Sequence, residues 1–108
     1  MSLPRAGRGL RLTLLSRAYC HLCDDLRDAL APIVARHSAT VVELDVDDDP
    51  ALEAIFGDRV PVLLLGKPDD GAELCHFHLD RVRVEAALAA SAQALALESP
   101  LAKKADFR

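Results

Sequence analysis

Apolar residues follow several distinct spacings along this chain, and each spacing predicts an element. Leu10, Leu12 and Leu14 alternate with Arg11 and Thr13 ahead of Leu15, the period of a strand. From His21 to Arg36 the apolar positions are Leu22, Leu26, Leu30, Ile33 and Val34, which share one helical face. Pro32 lies inside that run and removes one backbone donor, so a kink is expected over residues 28–32. Thr40 to Val46 is rich in β-branched residues and reads as a second strand. Asp47-Asp48-Asp49-Pro50 then starts a short helix, with an acidic cap, proline at the first helical position, and Leu52, Ile55 and Phe56 behind it. Gly57 is placed to close it.

Val60-Pro61-Val62-Leu63-Leu64-Leu65 is a continuous apolar run, the mark of a strand covered on both faces. Gly66 to Gly71 has turn composition, and Ala72 to Phe77 fits a return strand paired as a hairpin. A last helix begins near Arg81, capped by Asp80, with Leu79 and Val84 spaced for a hydrophobic staple. The order is β-α-β-α-β-β-α, an α/β fold with helices on both faces of a small mixed sheet. Residues 1–9 read as a flexible arm, 10–98 as one domain, and 99–108, beyond the helix and including Pro100, as a polar tail.

Composition narrows what such a fold can do. With 108 residues, a 51% hydrophobic fraction and 28% charged residues, the chain suits one domain with a real core. Its formal charge of −4 lacks the basic excess of a nucleic-acid-binding module. No apolar run approaches the length that spans a bilayer. Leu10 to Leu15 is broken by Arg11 and followed by Arg17, unlike the apolar core of an export signal, so a reducing cytoplasm is expected. Only 3 cysteines are present, too few and odd in number for a disulfide scaffold.

Two of them carry the chemistry. Cys20 and Cys23 flank a two-residue gap where the first strand gives way to the first helix. The first turn of a helix has unpaired N–H groups and partial positive charge, which favour a thiolate at Cys20. The spacing lets the second thiol reach the first across one turn. A metal site is the competing reading. Zinc needs four ligands, and Cys75, His76 or His78 would have to complete the set. Strand alternation sends Cys75 and His76 to opposite faces, which opposes that arrangement.

A CxxC pair opening a helix within a β-α-β unit resembles the thioredoxin fold. The chain is similar over roughly residues 10–92 to glutaredoxin-like proteins, specifically short bacterial ones with a CxLC active site. The likeness rests on Tyr19-Cys20-His21-Leu22-Cys23, on Val60-Pro61 opening the third strand, and on Leu79-Asp80 before the last helix. It implies a dithiol oxidoreductase that reduces protein or glutathione mixed disulfides, with Cys20 as nucleophile and Cys23 resolving. It also implies a cis bond at Pro61, and a Val60 backbone that pairs with an extended peptide or with glutathione.

Arg17 stands near the family's basic residue for the glutathione carboxylate, and Asp80 matches the acid that meets its amino group. Each is equally readable as a surface charge or a helix cap. Tyr19 and His21 complete the expected substrate contacts. Two departures count against glutathione binding: His21-Leu22 replaces the family's proline-aromatic pair, and His76 and Phe77 occupy its glycine pair. The expected cofactor set is accordingly empty, with glutathione as a co-substrate. The expected partner is a disulfide-containing protein or glutathione, met by a monomer with no nucleic acid and no membrane. The alternative is a module of the same fold that holds zinc or an iron–sulfur cluster, or docks a protein, without turnover. Cys75 is expected to be a small packing residue.

Overall fold

The computed structural model describes residues 10–69 and 71–104, with side chains as far as residue 92. Strand β1 (Arg11–Ser16) lies at the centre of a four-stranded sheet. It runs parallel to β2 (Thr40–Asp45) and antiparallel to β3 (Val62–Leu65), which pairs antiparallel with β4 (Ala72–His76). The order across the sheet is β2-β1-β3-β4. A central strand is covered on both sides, so the leucine alternation in β1 is deceptive. Leu12 through Ser16 are all buried, including Thr13 and Ser16. Thr13 stays satisfied by donating its hydroxyl to the Gly66 carbonyl at 2.6 Å.

Strand periodicity then divides the core. Leu12, Leu14 and Leu63 face helix α1 (His21–His37) and helix α3 (Arg81–Lys104), meeting Leu26, Leu30 and Ile33 from the first and Val84 and Leu88 from the second. Leu15, Val62 and Leu64 face the other way, toward Val46 and the short helix α2 (Pro50–Phe56), whose Phe56 closes a smaller cluster. Ile55, apolar like its neighbour Phe56, is 59% exposed. A helix of two turns lays only one residue squarely on the sheet, and Phe56 takes that position.

The helix ends follow their side chains. Asp49 caps α2 by accepting from the N–H groups of Ala51 at 2.9 Å and Leu52 at 3.4 Å. Asp80 caps α3 through the Arg83 N–H at 3.1 Å, with Leu79 packed on the cluster that contains Val84. Helix α1 runs unbroken through Pro32, which lies on its exposed side, where water can serve the carbonyl that loses its donor. It ends at Ser38 in the left-handed conformation (φ 53°).

Gly57 ends α2 as expected, as its C-cap, but without the left-handed backbone common at that position. It keeps a right-handed φ of −57° and leads into a 3-10 turn (Gly57–Arg59). A Cβ there would meet the Glu53 carboxylate and the Arg17 guanidinium, the ends of two long side chains that would have to shift. The hairpin also carries a bulge. Leu63 pairs with Cys75 but Leu64 with Glu73, leaving Leu74 as the extra residue. Helix α3 continues through Pro100 to Lys104, past the residue-98 limit read from the sequence. The arm at 1–9 lies outside the described residues.

Candidate functional site

The strand directions bring one end of the sheet together. β1, β2 and β4 finish there, β3 begins there, and α1 and α3 both start there. Cys20 occupies the N-cap of α1, a position usually held by an oxygen-bearing side chain. Its Sγ accepts the Cys23 N–H at 3.1 Å, so sulfur takes up one of the donors that a helix start leaves free. The two cysteines are joined as a disulfide, with their Cα atoms 5.2 Å apart. They differ in access: Cys20 is partly exposed, whereas Cys23 is completely buried. That difference follows from the helix, since position 23 turns inward on the face shared with Leu26 and Leu30.

Tyr19, Cys20, His21 and Asp24 line a shallow depression of about 270 Å³. Tyr19 is fully exposed and holds a left-handed backbone (φ 56°), uncommon for a bulky residue. Across the site the Val60–Pro61 peptide bond is cis. The β1–β3 register pairs Leu15 with Val62, which puts Pro61 beside the end of β1. The Pro61 carbonyl accepts the Phe77 N–H at 2.8 Å, tying the exit of β4 to the entry of β3. Phe77 is the second left-handed aromatic (φ 65°), and its ring is exposed and packs edge-on against His76. Asp80 sits at the start of α3 as its cap.

Arg17 is occupied elsewhere. Its guanidinium meets Glu53 at 3.2 Å, Asp47 at 3.7 Å and the Gly57 carbonyl at 3.3 Å, fastening the loop after β1 to α2. A second network was not anticipated from the sequence. Buried Ser16 donates to Glu43 at 2.7 Å, Glu43 is gripped by both Nε and Nη2 of Arg27, and Arg27 Nη1 reaches Asp24 at 2.8 Å. The Arg27 hydrogen bond holds the Glu43 carboxyl below its ordinary range, against the effect of burial. The same contacts push the Arg27 guanidinium further up. Only the i,i+3 spacing of Asp24 and Arg27 hinted at this, because Glu43 arrives through sheet register.

Cys75 is partly buried on β4, and burial pushes its thiol up, opposed by a hydrogen bond from the Asp80 backbone. His76 turns to Glu73, Nδ1 to Oε2 at 2.8 Å. Among the described residues no group of three or more His, Cys, Asp or Glu side chains is placed to hold a metal ion.

A thioredoxin-fold protein with its cysteine pair at a helix start is the class that this fold and site define. The model of the glutaredoxin-like domain family (DUF836) matches residues 11–89, and the chain belongs to that family. An uncharacterised protein of Mycobacterium tuberculosis is 35% identical over 86 residues, covering 75% of this chain and 84% of its own. The X-ray structure of XcR50 from X. campestris shares 42% identity and a TM-score of 0.57 over 73% of this chain and 96% of that one. Ne2328 from Nitrosomonas europaea shares 28% identity and a TM-score of 0.64 over 73% and 91%. Trichomonas vaginalis thioredoxin, at 21% identity and a TM-score of 0.53 over 80% and 82%, shares the fold. No described helix is long and apolar enough to cross a membrane.

Proposed function

We propose that this chain is a dithiol thiol–disulfide oxidoreductase that reduces protein or glutathione mixed disulfides. One observation carries the reading: a partly exposed sulfur at the head of α1 receives a backbone N–H, with a buried sulfur one turn behind it. In the reduced protein the same donors favour a thiolate at Cys20. That thiolate attacks one sulfur of a substrate disulfide, forming a Cys20–substrate bond and releasing the other half as a thiol. Cys23 then gives up its proton and attacks the Cys20 sulfur, closing the intramolecular disulfide and releasing the second half. The substrate gains two electrons and the pair loses two, so a thiol reductant such as glutathione or another dithiol protein must restore it.

Extended peptide disulfides suit the site better than glutathione. Arg17 is engaged by Glu53 and Asp47, and the Phe77 ring stands at the exit of β4. In this reading Val60 offers its backbone to the peptide, Tyr19 and His21 flank it, and Asp80 keeps its role at α3. The reading also places the chain as a monomer in the reducing cytoplasm, without a tightly held cofactor.

Reduction of a peptide disulfide and of a glutathione mixed disulfide by the pre-reduced chain tests it. Cys20→Ser should lose roughly a hundredfold or more. Cys23→Ser should trap the mixed disulfide, visible by mass. Full activity in Cys20→Ser would overturn the assignment.

A further inference from the structure

The first turn of α1 carries an apparent contradiction. A thiolate at Cys20 is favoured by the helix start, yet Asp24 and Asp25 follow within the same turns. Asp24 is the carboxylate that shares the depression with Cys20, and its N–H bonds to the Cys20 carbonyl at 3.1 Å. An uncompensated carboxylate there would oppose the charge the mechanism needs. The structure compensates it from outside the helix start. Arg27, three residues on, donates to Asp24 at 2.8 Å, and its other two nitrogens, Nε and Nη2, are fixed on Glu43 of β2. Glu43 is itself held by Ser16, the buried last residue of β1, at 2.7 Å. An arginine bound through a planar fork at one side has little freedom at the other.

We propose that Arg27 is a positioning residue of the redox centre: anchored on β2 through Glu43, it holds and neutralises Asp24 beside Cys20 and so preserves the reactivity of the Cys20 thiolate. The inference rests on reading Cys20 as the attacking thiol.

Other groups could tune the same sulfur. Tyr19, His21 and Asp25 lie on its own segment. Arg17 is turned toward α2, where Glu53 and Asp47 take its charge. From the exit of β4 and the start of α3 come His78, Asp80 and Arg81, all exposed. None of these bridges Asp24 to another element as Arg27 does, so its removal should be felt against their constant background.

The test is the rate of Cys20 alkylation by iodoacetamide in the reduced chain, followed against pH and read on the Cys20 peptide by mass spectrometry. Arg27→Met should move the midpoint up by about half to one unit, a roughly three- to tenfold slower reaction on the acid side. Arg27→Lys, which keeps the charge but not the fork, should recover at least part of that shift. Asp24→Asn should move the midpoint down, and adding it to Arg27→Met should bring the midpoint back to or below the parent value. A parent-like midpoint in Arg27→Met, or equal shifts in the methionine and lysine variants, would overturn the proposal. If Arg27→Met does not fold by circular dichroism, Arg27→Lys and Asp24→Asn decide: shifts up and down support it, and no shift in either overturns it. Because the titration requires no turnover, a chain showing this order of midpoints but reducing no disulfide would refute the functional reading alone.

Discussion

Two aromatic residues in left-handed conformations frame the cysteine pair, and their costs can be separated from their uses. A non-glycine residue in that region loses about 1–2 kcal/mol against right-handed geometry. Tyr19 is fully exposed, so no packing repays it. Tyr19→Gly should therefore leave unfolding stability within about 1 kcal/mol of the parent, the backbone relief offsetting glycine's greater unfolded entropy. If Tyr19 contacts a peptide substrate, the same change should raise KM roughly three- to tenfold with kcat little altered. Urea titration and steady-state kinetics on one preparation read both. Ser38, in the same conformation at the end of α1, has no expected part in the site. Ser38→Gly should stabilise the fold by up to about 1 kcal/mol, read as a higher urea midpoint at unchanged slope.

Among the elements, α1 shows how much the chain announces and where it falls silent. Its core face was legible from spacing alone: Leu26, Leu30 and Ile33 are buried, with Leu22 and Val34 half-buried at the edges. Its start was legible too, because a CxxC pair after a strand has few other uses. The partner of Arg27 was not, since it depends on how far β2 slides along β1. The same limit hid the partners of Arg17, readable as a glutathione contact or a surface charge, which lies against Asp47 and Glu53, thirty and more positions later. The bulge at Leu74 escaped for the related reason that composition does not count residues across a ladder. Periodicity reports which face of an element is apolar. It does not report which charges meet across elements, and here one such meeting, of Arg27 with Glu43 and Asp24, reaches the depression at Cys20.

For the whole molecule, charge linkage gives the pH response. Glu43 is held below the ordinary glutamate value of 4.5 by its hydrogen bond from Arg27, and Glu85 by its hydrogen bond from His37 with Arg36 beside it. A carboxyl with a lowered folded-state pKa binds protons more weakly than its unfolded counterpart. Its contribution is complete above the unfolded value and is lost as pH falls through the folded one. Unfolding free energy should therefore decline as pH drops below about 4.5. Glu43→Gln should flatten that decline while lowering stability at pH 7. Chemical unfolding at several pH values reads the slope, and a variant that keeps the parent slope would remove Glu43 from the account.

The unequal halves of the core have a consequence in time rather than in energy. Leu15, Val46, Phe56, Val62 and Leu64, with half-buried Leu44, Leu52 and Val60 and the exposed Arg17–Glu53 contact, secure α2 to its side of the sheet, while α1 and α3 share a larger cluster on the other. Amide hydrogens of residues 51–59 should accordingly exchange with solvent well before those of β1 and β3. That segment leads straight into Val60 and Pro61, so this part of the sheet end should open sooner than the start of α1. A partner presenting its disulfide would meet one rigid jaw, built on α1, and one that yields.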